Sequence, residues 1–264
     1  MPRAFSIHIG VNDPQEGCAG PPLRHSEAAA WRMAELANRA GYDGLLVLRG
    51  REATRQAVDD ALGDAARTLT DGDTLLITFS GHGVPVRDHV CDCDEPDGFD
   101  EGWCLYDGIL LDDKLAGFWR LFERGVRIVV VSESCFSGDI LRRGEDGRGA
   151  EPEPGRGSAA SCTGETPADA HGIQATILLL AACTEEQKAQ EGLYTEKLLE
   201  VWNGGAFQGS YRELHACVSR KVLCAGVRQE PQIVMAGAPD PAFPLETAFH
   251  LDRRTLRRPP VYRG

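Results

Sequence analysis

The sequence predicts an α/β protein of three layers, in which a mostly parallel central sheet of about six strands is flanked by helices. Short runs rich in Val, Ile and Leu, such as 75–79 and 128–131, are typical of strands buried on both faces. Segments of helical periodicity lie between the runs, and this alternation implies right-handed crossovers and parallel strands. With 264 residues, the chain is long enough to bury the core of one large α/β domain.

Each element is predicted from its own residue pattern. Alternation of apolar and polar residues, or a short unbroken apolar run, indicates a strand, and apolar residues at helical spacing indicate a helix. Ser26 is predicted to cap the first helix, which ends at Gly41, and His8 is predicted to be a packed histidine rather than a ligand. The acidic stretch 92–108 is predicted to be a loop. The predicted strands lie at 5–11, 44–48, 75–79, 128–131, 175–181 and 232–235, and the predicted helices at 27–40, 54–69, 112–122, 195–202 and 211–218.

The chain is predicted to form one domain, 1–264, built from two parts and a linker. The predicted elements fall into a first part, 1–141, and a second part, 173–264. The segment between them, 142–172, is rich in Gly, Pro, Ser and charged residues and has almost nothing to bury, which is typical of a flexible linker.

The charge balance is acidic, with 40 Asp and Glu against 28 Lys and Arg. This argues against nucleic acid or an anionic membrane as the main partner and is compatible with cationic substrates or metal ions. The first residues show no signal peptide, and no apolar run reaches the roughly 18 residues of a membrane span. The expected location is therefore cytoplasmic.

Nine cysteines are scattered along the chain. An odd number in an intracellular protein favours free thiols over a disulfide framework. Cys91 and Cys93 form a C-x-C pair without a second cysteine or histidine pair, and this favours ordinary thiols over a zinc site.

Two reactive side chains follow two of the apolar runs. His82, between two glycines, follows the run 75–79, and Cys135 follows the run 128–131. Because residues just past the carboxyl ends of parallel strands line the ligand-binding crevice of open α/β sheets, the imidazole and the thiol are expected at one edge. A histidine within hydrogen-bonding distance can take the proton of a cysteine thiol and later protonate a leaving amine. The alternative, a structural thiol and a packed histidine in unrelated turns, is disfavoured by their paired positions and order.

The motifs FSGHG at 79–83 and SESCFSG at 132–138 resemble those of the caspase-fold cysteine peptidases of clan CD. His82 lies 53 residues before Cys135, close to the spacing of about 50 in caspases. The resemblance is closest to metacaspases and bacterial orthocaspases, and it extends to LLAACTEEQKAQE and LYTEKLLEVW in the second part of the chain. It implies a caspase-like three-layer fold and a cysteine endopeptidase that hydrolyses protein or peptide substrates, with no organic cofactor.

The resemblance also implies roles for individual residues. Cys135 is expected to be the nucleophile and His82 the general acid and base, while the backbone N–H groups of Gly83 and Cys135 are expected to form the oxyanion hole. Two positions depart from the family pattern. Glu133 stands where the family usually has Asp, which bears on the depth of the substrate pocket, and Phe136 stands where it often has His, which bears on substrate contacts.

Cleavage after a basic P1 residue, Arg or Lys, is predicted from two acids. Metacaspases place carboxylates in the primary pocket, where Glu133 occupies one position and Glu27 is assigned to the other; an ungapped match puts Ala29 there instead. Two carboxylates favour a guanidinium or ammonium group through charge-assisted hydrogen bonds. The alternative for Glu27 is an acid at a helix N-terminus, favoured by the helix dipole.

An activating Ca²⁺ ion is predicted as a cofactor, because acids in matching segments of many metacaspases bind calcium. Carboxylate oxygens are the ligands that calcium prefers. The alternative is a solvated loop followed by the N-terminus of a helix. The candidate ligands are Asp97, Asp100, Glu101, Asp112 and Asp113.

Self-cleavage in the linker is predicted from four arginines, because an enzyme that cuts after basic residues could cut itself there. The alternative is that these arginines only keep the linker soluble. The candidate sites are Arg142, Arg143, Arg148 and Arg156.

Two other functions compete with the endopeptidase. One is a catalytically silent caspase-fold scaffold that binds partners, which is disfavoured because both reactive side chains are present. The other is an amidase with the same pair of residues, which the two carboxylates disfavour.

Overall fold

The computed structural model describes residues 3–15, 17–18, 20–87, 99–135, 172–184, 187–251 and 261–262. Ten strands and five α-helices lie in this part of the chain. The strands are β1 (Ala4–Gly10), β2 (Gly44–Arg49), β3 (Thr74–Ser80), β4 (Gly83–Arg87), β5 (Phe99–Leu105), β6 (Gly108–Leu111), β7 (Arg127–Glu133), β8 (Thr176–Ala181), β9 (Gln232–Gly237) and β10 (Val261–Tyr262). The helices are α1 (Ser26–Ala40), α2 (Arg55–Thr68), α3 (Asp112–Trp119), α4 (Leu193–Trp202) and α5 (Tyr211–Cys224).

The central sheet has the strand order β10-β2-β1-β3-β7-β8-β9. All neighbouring strands are parallel except β8 and β9, which are antiparallel. The predicted mostly parallel sheet is therefore confirmed, with six strands of six or seven residues and the two-residue β10 at one edge. Because β3 and β7 are parallel neighbours, whatever follows them lies at the same end of the sheet.

Helices cover both faces of the sheet, which gives the three layers. Alternate residues of each central strand enter different cores, as the two-residue period of a strand requires. Ile128 and Val130 of β7 pack into the core with α2 and α3, whereas Val129 and Val131 pack into the core with α1, α4 and α5. The unbroken apolar runs of the sequence therefore mark strands that are buried on both sides.

A smaller antiparallel sheet, in the order β4-β5-β6, corrects the prediction of a loop at 92–108. Residues 99–105 form the middle strand, and residues 88–98 lie outside the described part of the chain. The acidic composition of this strand suggested a loop, because the strand is defined by backbone hydrogen bonds with β4 and β6 and not by a pattern of apolar residues. Trp103 anchors the strand, because its ring stacks on Phe79 with ring centroids 4.6 Å apart.

The predicted cap of the first helix is wrong. His25 occupies the N-cap position without a side-chain hydrogen bond, and Ser26 is the first helical residue, with its buried hydroxyl lacking a partner. Gly41 ends the helix in a left-handed conformation with φ of 96°, as predicted.

The expectation that the cysteines are free thiols is wrong for two of them. Cys18 and Cys104 form a disulfide, with Cα atoms 6.1 Å apart. The bond joins the loop after β1 to strand β5, a contact between residues 86 apart in the sequence that counting cysteines does not reveal. Cys135, Cys217 and Cys224 carry free thiols, while Cys91 and Cys93 lie outside the described part of the chain. Across the described residues, no helix has the length and apolar character needed to span a membrane.

Candidate active site

His82 and Cys135 lie at the carboxyl ends of two adjacent parallel strands. The register pairs Ser80 with Glu133, and two further residues along each strand lead to His82 and Cys135. The strand ends are joined by a hydrogen bond from the Gly81 N–H group to the Glu133 carbonyl, with 3.2 Å between N and O. Both predicted reactive residues therefore leave the sheet at one edge, and the half-buried Cys135 is a free thiol.

The backbone after His82 lies directly against Cys135. A Cβ atom at Gly83 would lie 2.0 Å from the Cys135 carbonyl oxygen and 3.0 Å from the Ser134 Cβ, so only glycine fits this position. The two residues predicted to supply the oxyanion N–H groups are thus in contact, and their role as donors stays a prediction.

A backbone carbonyl holds the imidazole of His82. The Nε2 atom lies 2.9 Å from the carbonyl oxygen of Pro21, in the loop between β1 and α1. Because a carbonyl oxygen can only accept, Nε2 is the donor and carries a proton. The other ring nitrogen, Nδ1, then remains for proton exchange.

The turn that carries Cys135 rests on a buried polar network. The indole Nε1–H of Trp103 donates to the Ser132 hydroxyl at 3.1 Å, and the Ser132 and Ser134 hydroxyls lie 3.2 Å apart. The thiol of Cys183 donates to the Ser134 carbonyl with 3.3 Å between S and O. Buried polar groups that are mutually hydrogen-bonded restrict the conformation of the backbone that carries them. The network therefore fixes the position from which Cys135 projects.

Glu133 is buried, with 3% of its surface exposed, and its carboxylate is held from two sides. Its Oε2 atom accepts from the Thr195 hydroxyl at 2.6 Å and from the Ser80 hydroxyl at 3.4 Å, and its Oε1 accepts from the Thr195 N–H group at 3.2 Å. Burial raises the pKa of Glu133, and the hydrogen bonds from Thr195, Tyr194 and Ser80 oppose that rise. None of the ion pairs among the described residues involves Glu133.

Glu27 lies elsewhere on the same edge of the sheet. It is half-buried in the first turn of α1, where its N–H group donates to the Asn12 side-chain oxygen at 3.2 Å. Its Oε1 atom would lie 3.2 Å from a Cβ at Gly50, just past the end of β2. Strand β1 lies between β2 and β3, and the carboxylate of Glu133 accepts from Ser80 at the end of β3. Glu27 and Glu133 are therefore held beside different strands.

The predicted calcium ligands are only partly described. Glu101 on β5 and Asp112 at the start of α3 are buried, and Asp113 follows Asp112 in the first turn of that helix. Asp97 and the side chain of Asp100 lie outside the described part of the chain. Within that part, no group of three or more His, Cys, Asp or Glu side chains could hold a metal ion, and the calcium site, which includes Asp97 and Asp100, stays a prediction.

The four arginines predicted as self-cleavage sites also lie outside the described residues. They are Arg142, Arg143, Arg148 and Arg156.

The sequence did not predict two groups that bind residues of the candidate site, the Pro21 carbonyl at His82 and Thr195 at Glu133. The Pro21 carbonyl is a backbone atom that every residue possesses, so no letter of the sequence marks it. Thr195 lies in the stretch LYTEKLLEVW, which was noted for its resemblance, but its contact with Glu133 depends on α4 packing beside β7.

A three-layer α/β fold that brings a free cysteine and a glycine-flanked histidine to one edge of its sheet is the arrangement expected of a caspase-fold protein. The model of the caspase domain family matches residues 9–242, and the chain belongs to this family of peptidases. It is 33% identical to metacaspase-1 of Arabidopsis thaliana over 110 residues, which cover 38% of this chain and 29% of that relative.

Solved structures with the same fold extend the similarity over most of the chain. Protein GSU0716 of Geobacter sulfurreducens is 33% identical, with a TM-score of 0.73, and the match covers 95% of this chain and 99% of that protein. Pro-sf-caspase-1 matches with a TM-score of 0.52 and 11% identity over 88% of this chain and 87% of its own, a likeness of fold alone.

Proposed function

We propose that the protein is a cysteine endopeptidase in which Cys135 is the nucleophile and His82 the general acid and base. The observation that carries this proposal is the register of β3 and β7, which ends both strands at one edge with a free thiol and an oriented imidazole. Membership of the caspase domain family supports the same reaction class.

The proposed reaction begins with transfer of the Cys135 proton to Nδ1 of His82, because Nε2 already donates to Pro21. The thiolate attacks the scissile carbonyl carbon, and the N–H groups of Gly83 and Cys135 stabilise the negative charge that develops on the oxygen. The imidazolium then protonates the leaving amine, and water hydrolyses the thioester. The Pro21 carbonyl accepts from Nε2–H throughout, so Nδ1 stays the nitrogen that exchanges the proton.

We further propose that the P1 residue is basic. Glu133 lies two residues before Cys135 and is buried without a cationic partner among the described residues, so a substrate guanidinium would supply the missing countercharge. The acidic net charge of −12 also favours the approach of cationic substrates.

The experiment that tests both proposals compares wild type with Cys135→Ala on fluorogenic peptides that differ only in P1. Wild type is expected to cleave after Arg or Lys, and the variant is expected to lose at least about 10³-fold in kcat/KM. Cys217→Ala, at a free cysteine on α5, is the matched control and is expected to retain activity. Equal activity of wild type and Cys135→Ala would refute the peptidase, whereas preferential cleavage after Asp would refute only the basic P1.

Calcium activation stays a proposal that rests on the resemblance, and no step of the reaction depends on it. Activity that is unchanged by a chelator and by added Ca²⁺ would contradict it. Self-cleavage is tested by incubating wild type and Cys135→Ala with and without Ca²⁺. Fragments that appear in wild type but not in Cys135→Ala are expected if the protein cuts itself at the linker arginines.

A further inference from the structure

The loop between β1 and α1 touches the imidazole of His82 at two successive residues. The Pro21 carbonyl accepts from Nε2 at 2.9 Å. A Cβ atom at Gly20 would come within 2.8 Å of the ring carbon Cε1 and 2.9 Å of Nε2, closer than real Cβ contacts. The orientation of the ring is therefore set by where this loop lies.

The Cys18–Cys104 disulfide ties this loop to the strand that also holds the backbone of His82. Cys18 lies three residues before Pro21, and Cys104 lies on β5. The Cys104 N–H group donates to the carbonyl oxygen of His82 at 2.9 Å. The disulfide thus links strand β5, which binds the backbone of His82, to the loop whose Pro21 carbonyl binds its ring.

We infer that the Cys18–Cys104 disulfide positions the imidazole of His82, and that breaking it lowers the reactivity of Cys135. This inference rests on the proposed pairing of His82 with Cys135. A dithiol supplies two electrons and two protons, so the S–S bond becomes two S–H groups while the dithiol closes to its own disulfide.

The effect is a loss of orientation and not a loss of the fold. Two other backbone bonds keep the loop in place at its ends, from the Gln15 N–H group to Tyr106 and from the Leu23 N–H group to Asn12. Without the disulfide, the stretch that contains Gly20 and Pro21 gains freedom between these points. A displacement of about 1 Å in a catalytic group can cost on the order of 100-fold in rate.

The test is the alkylation of Cys135 by iodoacetamide between pH 5 and 9 without reductant, followed by peptide mass spectrometry. Cys18→Ser/Cys104→Ser is expected to slow alkylation at pH 6 by about tenfold, because a displaced imidazole no longer accepts the proton of the thiol. The matched control Cys217→Ser/Cys224→Ser removes two free thiols from α5 and is expected to follow wild type.

A second variant tests the loop without touching the disulfide. Gly20→Ala forces the ring of His82 to move, so the same slowing of alkylation is expected with the disulfide intact, and kcat is expected to fall with little change in KM. This variant tests the premise that the loop orients the ring, and an unaffected Gly20→Ala would remove that premise even if the double cysteine variant does not fold.

Three results would overturn the inference: an alkylation profile of the folded double variant that matches wild type, an unaffected Gly20→Ala, or free Cys18 and Cys104 in protein purified without reductant. Alkylation needs no substrate, so the outcome is separate from peptidase activity. If wild type cleaves no peptide and both variants still slow alkylation, the peptidase proposal fails and the positioning role stands.

Discussion

At the scale of single residues, His8 makes folding sensitive to acid. It is fully buried in β1, its Nδ1 lies 2.9 Å from the Thr78 hydroxyl, and its Nε2 has no partner. Burial lowers the pKa of His8 from 6.5 to about 3, so the folded protein resists protonation while the unfolded chain accepts a proton below pH 6.5. The resulting loss of free energy of unfolding is absent above pH 6.5, grows as the pH falls and is complete near pH 3, where it reaches about 4 to 5 kcal/mol.

Replacing His8 with Leu is therefore expected to flatten the pH dependence of stability. Between pH 7 and pH 4.5, urea unfolding should show a smaller loss of free energy of unfolding in His8→Leu than in wild type. His250→Leu, at an exposed histidine, is the control and should retain the wild-type slope. Parallel curves for wild type and His8→Leu would contradict the assignment.

The residues of the candidate site differ in how far the sequence could predict them. His82 and Cys135 were predictable because each follows a short apolar run typical of a buried strand, and glycines flank the histidine. Glu133 was predicted to face substrate, but its bonds to Thr195 depend on packing between distant segments. The disulfide at Cys18 depends on the path of an irregular loop, for which no residue period exists.

At the scale of elements, α5 is preceded by a serine that caps it, whereas α1 begins with a serine that does not. The hydroxyl of Ser210 accepts from the Glu213 N–H group at 3.2 Å, and the Glu213 carboxylate accepts from the Ser210 N–H group at 2.7 Å. This capping box satisfies two backbone N–H groups at the start of α5, those of Ser210 and Glu213. Ser26 forms no such bond at α1.

Ser210→Ala is expected to lower the free energy of unfolding by about 1 kcal/mol, because the first turn of α5 loses its side-chain acceptor. Ser26→Ala is the matched control and should be close to neutral, because its buried hydroxyl already lacks a partner. Denaturant unfolding of the two variants measures the difference. Equal losses would contradict the capping assignment.

Elements whose pattern is set by burial were predicted best. Strands β3, β7 and β8 are covered on both faces, so apolar residues form the majority of each strand and the sequence signal is strong. Strand β5 has an acidic sequence and belongs to a small antiparallel sheet, where backbone pairing rather than side-chain burial defines the element. Composition alone therefore suggested a loop.

At the scale of the whole molecule, the two parts of the chain share one sheet. Strand β7 of the first part pairs with β8 of the second through six residue pairs, and all six residues of β8 are buried. Arg127 on β7 is bound by Asp240 and Glu246 of the second part, at 3.0 and 2.6 Å. The disulfide lies within the first part, so no covalent bond among the described residues joins the parts.

A cut in the linker is therefore expected to leave the two parts associated. The four aliphatic side chains of β8, Ile177 to Leu180, contribute on the order of 6 to 12 kcal/mol through burial, and the carboxylate of Glu133 adds its bonds to Thr195 across the same junction. The measurement uses Cys135→Ala with a recognition site for a sequence-specific protease placed between residues 150 and 155. After cleavage, both fragments should co-elute from a size-exclusion column in buffer and separate in 6 M urea; the uncut protein is the control. Separate elution in buffer would show that the shared sheet does not hold the parts together, and that self-cleavage in the linker would release them.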